Sequence, residues 1–213
     1  MFGVSVCSSS PAVGARCAFA RAGIGAVASQ NVTDPALGEA LIAARTAGAS
    51  APRALADLTA TQPHMSYRQL IAVDAEGETA AFSGTRTLGL HASAQARNVA
   101  AAGNLLAGEQ TPEAMIEAFL AGRGSLGDRL IGAMQAAITS GGEAGPVRSI
   151  SLKIVDKLSW PIVDLRVDWT DDPPVDRLKA LWDVYAPLAG DYVTRALDPE
   201  SAPSFGVAGD TGR

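Results

Sequence analysis

Apolar positions along the chain alternate between two periods. Gly3 to Cys7 and Gly23 to Gln30 are runs of small and β-branched residues that read as two short strands, separated by the turn-rich break Ser8-Ser9-Ser10-Pro11. The period then lengthens. Asp34-Pro35 has the form of a helix N-cap followed by proline at the first helical position; Leu37, Leu41 and Ala44 share a face, and Gly48 is a stop. Ser50-Ala51-Pro52 starts a second helix with Leu55 and Leu58 inward, ended by Gln62-Pro63. Arg68 to Asp74 and Glu78 to Ser83 form a hairpin across the turn Ala75-Glu76-Gly77, with glycine where a left-handed conformation is needed. Residues 97–103 read as a further, Ala-rich strand. Thr111-Pro112-Glu113 opens a helix with Met115, Ile116, Phe119 and Leu120 buried. Ser125 and Asp128 make a capping-box-like start for the next, whose stripe is Leu130, Ile131, Met134 and Ile138 and whose stop is Gly141-Gly142. Ser149 to Val155 and Ile162 to Trp169 alternate as strands, and a last helix from about Pro174 turns Val175, Leu178, Leu181, Trp182 and Tyr185 inward.

From Asp198 to Arg213 the chain is rich in Gly, Pro, Ser and Asp without periodicity, which divides it into one domain over 1–197 and a loose tail over 198–213. The predicted order is β-β, α-α, β-β-β, α-α, β-β, α. Helices that come in pairs argue against a doubly wound parallel sheet and for an α+β fold, antiparallel sheet layers covered by helices. Gly23-Ile24-Gly25 lacks the third glycine and the following helix of a dinucleotide site.

Composition narrows the function classes. A net charge of −5 and the lack of any Lys/Arg cluster argue against nucleic acid or an anionic membrane as partner. No apolar run reaches the ~18 residues of a membrane-spanning helix, and the N-terminus has no basic stretch of the kind that opens a signal peptide. The two cysteines, Cys7 and Cys17, read as reduced packing residues of a cytoplasmic protein. With two histidines, His64 and His91, and no HExxH or CxxC, no metal site and no cofactor are expected.

Several stretches, in order, resemble one bacterial family, domain of unknown function 1028, grouped with the N-terminal-nucleophile (Ntn) hydrolases. They are Gly3-Val4-Ser5-Val6, Ala12-Val13-Gly14, Ala22 to Gln30, Arg68-Gln69 with Val73-Asp74, and Ala80-Ala81-Phe82-Ser83-Gly84. Ala102 to Gly108, Arg129-Leu130, Gly141-Gly142-Glu143 and Val163 to Asp168 continue the series, so the resemblance spans roughly residues 3–186. It implies a four-layer αββα sandwich and hydrolysis of a small amide or related C–N bond. It also implies a first strand of about a dozen residues ahead of Gly3, led by a Thr or Ser nucleophile. In Ntn chemistry the chain's own α-amine, with a pKa of roughly 7.7–8.0, serves as base for that hydroxyl. Neither Met1 nor Phe2 can act as the nucleophile, and a bulky Phe2 blocks removal of Met1. The expectation is therefore either a hydrolase whose nucleophile lies upstream of Met1 or a non-catalytic binding or assembly protein on the same scaffold.

The candidate site residues are polar groups at strand ends or in loops. Asn104, after Gly103, is positioned to donate to an oxyanion or to satisfy a turn. His91 lies in the loop Gly89-Leu90-His91-Ala92, near where the family has a Gly-His pair; here Leu90 intervenes. These two are the catalytic candidates. Gln30 ends its strand and either lines a pocket or caps the strand; Glu143 and Arg148 flank a Gly-rich connection and either bind a polar substrate or pair with each other. Asp164, Arg166 and Asp168 share one strand face and read as a solvated face. The expected partners are a small-molecule substrate and, through the unpaired edge of the first strand, a second copy of the chain.

Overall fold

In the computed structural model, which describes residues 1–208, the strand β1 (Phe2–Ser8) leads through a short helical turn α1 (Gly14–Cys17) into β2 (Ala18–Arg21) and β3 (Gly25–Asn31). Two helices, α2 (Pro35–Thr46) and α3 (Ala51–Thr61), precede the hairpin β4 (Arg68–Asp74) and β5 (Thr79–Ser83). A second hairpin, β6 (Ala92–Ala96) and β7 (Val99–Gly103), is followed by α4 (Thr111–Ala121) and α5 (Leu126–Thr139). The strands β8 (Ser149–Val155) and β9 (Val163–Val167) and the helices α6 (Pro174–Tyr185) and α7 (Ala189–Leu197) complete the order. The fold is mixed α and β, with antiparallel sheets ordered β1-β8-β9, β2-β3-β4-β5 and β6-β7.

Local chemistry sets the helix starts. Asp34 accepts from the Ala36 amide at 3.0 Å and Pro35 follows it. Ser125 and Asp128 form a reciprocal capping box. Asp74, 1% exposed, closes the β4–β5 turn by accepting from the amides of Glu76 (3.1 Å) and Glu78 (2.8 Å), and it also accepts from the Ala51 amide at the start of α3 (2.8 Å).

Three apolar clusters bind the elements together. Leu37, Leu41, Ile42, Leu55 and Leu58 of α2 and α3 pack on Val27, Leu70, Ala72 and Ala80 of β3, β4 and β5. The opposite side of that sheet offers Ala26, Ala28, Ile71 and Val73, which pack with Val4 and Val6 of β1. Ile150, Leu152 and Ile154 of β8 pack with Met134 of α5 and with Leu178 and Trp182 of α6. Small residues allow these close approaches: a Cβ on Gly25 would lie 2.3 Å from the Val73 carbonyl oxygen, and one on Gly3 would lie 2.6 Å from Leu130.

The structure differs from the pattern reading in a few places. Gly23 belongs to the turn between β2 and β3, and β2 itself is too short and Ala-rich to show a period. The Ala-rich stretch 97–103 is not one strand: Arg97-Asn98 is the two-residue turn of a hairpin, with Asn98 left-handed at φ 69°, and its partner Ala92–Ala96 carries no large apolar residue to announce it. Leu120, Ile138 and Leu181 are exposed rather than inward, each at the margin of a stripe centred on its bulkier neighbours. The helix α7 buries no side chain, and Arg195 on it donates to the carbonyls of Pro203 and Ser204 in the predicted tail. Residues 209–213 of that tail lie outside the described residues.

Candidate functional site

Three strands end at one cavity. The C-terminal half of β1, from Ser5, runs into Ser9 and Ser10; β3 ends at Gln30 and Asn31; β7 ends at Gly103 and Asn104. The start of α4, the end of α5 and the Gly142-Glu143 corner close the remaining sides. The space is about 1130 Å³, part of it open to solvent.

Buried amides hold this rim in place. Gln69 on β4, fully buried, donates to the Ser83 hydroxyl (2.9 Å) and the Gly103 carbonyl (3.0 Å) and accepts from the Gln30 amide (2.8 Å). Gln30 also donates to the Ala102 carbonyl at 3.0 Å. These bonds fix the end of β7 to the four-stranded sheet, and they use both amide hydrogens of Gln30 while leaving its carbonyl oxygen with no protein partner among the described residues. Asn31, left-handed at φ 77°, donates to the Tyr67 carbonyl (2.5 Å) and accepts from the Leu88 amide (3.1 Å), clamping the loop that leads to β6. Asn104 lines the cavity, and its side chain makes no hydrogen bond among the described residues.

The acidic group of the cavity is Glu143. It accepts from the Ser9 amide at 3.1 Å and the Ser9 hydroxyl at 2.5 Å, joining two loops that are 134 residues apart. A charge-assisted pair of this kind orders the serine turn at the mouth of the cavity. Arg16 supports the same turn by donating to the Pro11 carbonyl at 2.8 Å. The nearby Cys7 thiol is pushed up from 9.0 to about 12, first by burial and then by the Glu143 charge. It stays protonated at neutral pH and is a poor nucleophile there. Among the described residues no three His, Cys, Asp or Glu side chains are grouped to hold a metal ion.

Of the five candidates, Gln30, Asn104 and Glu143 line the cavity; His91 and Arg148 do not. His91 adjoins Ala92, the register partner of Gly103, yet its Nδ1 lies 3.2 Å from the Gly89 carbonyl of its own loop. The expected Glu143–Arg148 pair is replaced: Arg148 binds Asp171 at 2.7 Å and covers the Trp169 ring, while its backbone amide donates to the Ser8 carbonyl at 2.8 Å. Ser8-Ser9-Ser10, a turn by sequence pattern, also lines the cavity, as do Arg16 and Asn31, which no pattern marks. Three serines at the end of an apolar strand are a further signal for it in the sequence.

The family model described as "Family of unknown function (DUF1028)" matches residues 1–178. Among solved structures, protein SPO2555 from Silicibacter pomeroyi, itself described by the DUF1028 family model, aligns with a TM-score of 0.81 at 28% identity, over 91% of this chain and 86% of that chain. No curated protein matches the chain. No helix among the described residues is long and apolar enough to cross a membrane.

Proposed function

The chain belongs to the DUF1028 family of unknown function, and we propose that its scaffold is an Ntn-type four-layer αββα sandwich whose cavity binds a small amide for C–N hydrolysis. The observation that carries this reading is the convergence of Gln30, Asn104 and Glu143, from distant parts of the chain, on one cavity where three strands end. The unengaged Asn104 amide suits the carbonyl oxygen of an amide, where it would stabilise a developing oxyanion. The free carbonyl oxygen of Gln30 suits the amide N–H. The serine hydroxyls and Glu143 add polar contacts for the rest of a small ligand.

A second reading, binding without turnover, has a specific observation in its favour. Cys7 is held protonated. Binding and hydrolysis are separable by titrating the protein with a panel of small primary amides and N-acyl amino acids in a calorimeter and assaying the same mixtures for released acid and amine. Release that is lost in Asn104→Ala supports the hydrolase. Saturable binding weakened in Asn104→Ala, without release, supports the binding reading. Neither binding nor release contradicts both.

A further inference from the structure

The polar cavity carries two charged side chains, Arg16 and Glu143, and they are unequally engaged. Both oxygens of Glu143 accept from Ser9. Arg16 is half free. Its Nη2 donates to the Pro11 carbonyl at 2.8 Å and, at 3.5 Å, to the Ser10 hydroxyl, while Nε and Nη1 have no partner among the described residues. The guanidinium also acts inward. Burial raises the Cys17 thiol on the cavity wall, and the Thr33 hydroxyl and then the Arg16 charge draw it back. The charge with donors to spare is therefore the positive one, on a side chain whose planar fork fits a carboxylate.

The mouth of the cavity has an apolar part as well. Leu105 and Leu88 line it and are 36% and 47% exposed. Single exposed leucines are ordinary on a protein surface; these two are held together. The Leu105 amide donates to the Leu88 carbonyl at 3.0 Å, and the Leu106 amide to the Leu90 carbonyl at 2.9 Å. Leu105 is left-handed at φ 52°, a conformation that a bulky residue rarely adopts. Its side chain lies across Gly89, where an added Cβ would stand 2.9 Å from Cδ2. The result is a leucine ledge facing solvent at the rim of a polar site.

Each of these features goes with one member of the amide-reading pair. Arg16 adjoins Cys17, whose Sγ lies 3.4 Å from the Thr33 hydroxyl, which in turn lies 3.4 Å from the carbonyl of Asn31, the neighbour of Gln30. Asn104 adjoins Leu105. An amide whose N–H meets Gln30 and whose carbonyl meets Asn104 thus has its nitrogen substituent on the Arg16 side and its acyl substituent on the leucine side.

We propose that the ligand of this cavity is an N-acyl amino acid, its carboxylate paired with Arg16 and its short aliphatic acyl chain laid on Leu88 and Leu105. This rests on the reading of the cavity as an amide site and adds to it the charge and the tail of the substrate.

The probes are N-hexanoylglycine, N-hexanoylglycinamide, N-acetylglycine and N-acetylglycinamide, each titrated into the protein at neutral pH in a calorimeter. N-hexanoylglycine should bind about tenfold more tightly than its carboxamide and about tenfold more tightly than N-acetylglycine, which lacks the methylenes that cover the ledge. Arg16→Gln should erase the preference for the acid while leaving the affinity for the carboxamides within about twofold, and Arg16→Lys should restore part of it. Leu88→Ser should erase the preference for hexanoyl over acetyl and keep that for the acid. The proposal alone is overturned if the carboxamides bind and weaken in Asn104→Ala, yet acid and carboxamide bind equally, or Arg16→Gln weakens both alike, or Leu88→Ser weakens both chain lengths alike. Lack of binding by all four probes up to about 1 mM overturns the amide-site reading together with it.

Discussion

Asp74→Ala lowers the unfolding free energy by about 3–5 kcal/mol, read from urea melts followed by tryptophan fluorescence. Asp74 is 1% exposed and serves four partners at once: the amides of Ala51, Glu76 and Glu78 and, at 3.7 Å, the guanidinium of Arg45. Alanine leaves three backbone donors without an acceptor and a nearly buried Arg45 with only the exposed Glu76 for company. The loss couples two elements, because Asp74 both closes the β4–β5 turn and holds the first residue of α3. Asp74→Asn keeps the shape but turns one acceptor into a donor that faces the Ala51 amide or Arg45, so it should lose at least half as much. A loss under about 1 kcal/mol for the alanine variant contradicts this account, since that is the range of one ordinary hydrogen bond.

Alkylation of Cys7 by iodoacetamide at pH 8 should be about fiftyfold slower in the folded protein than in guanidinium, with site-resolved mass spectrometry as the readout. The thiol is raised from 9.0 to about 12, which lowers the thiolate fraction about a thousandfold. The higher intrinsic nucleophilicity of a more basic thiolate recovers roughly 1.2–1.5 of those three decades, and restricted access takes some back. The sign with pH is fixed: the native rate keeps rising with pH well beyond 9, where the unfolded chain has reached its plateau. Glu143→Gln removes the second cause of the shift and should speed native alkylation. A native rate within about fivefold of the denatured one means that burial and the Glu143 charge do not raise the thiol this far.

What the sequence made visible is what local chemistry decides. Asp34, Ser50 and Ser125 each announce a helix because a cap is a contact between near neighbours. The hairpin from Arg68 to Ser83 announces itself because Gly77 must be left-handed, and it is, at φ 81°. The strand from Ala92 to Ala96 stayed hidden because alanines give no amphipathic contrast; its partner, not its own composition, makes it a strand. The same division runs through the site. Gln30, Asn104 and Glu143 stand out as polar residues beside small ones at strand ends. That Glu143 takes Ser9 and that Arg148 takes Asp171 depends on distant loops meeting, and no spacing in the chain records it. The match to one family spans residues 1–178, and within it Gly3, Gly14 and Gly25 are positions where an added Cβ would lie within 2.6 Å of a neighbour.

The most direct test of the central claim, that the cavity at the ends of β1, β3 and β7 is the ligand site, is a crystal structure of the protein soaked with a small primary amide such as N-acetylglycinamide. The account predicts the ligand in that cavity, its carbonyl oxygen about 3 Å from the Asn104 side-chain nitrogen and its N–H directed at the Gln30 carbonyl oxygen, with Ser9 still held by Glu143. A ligand seated elsewhere, or a cavity left without ligand at a concentration that saturates binding in solution, contradicts it.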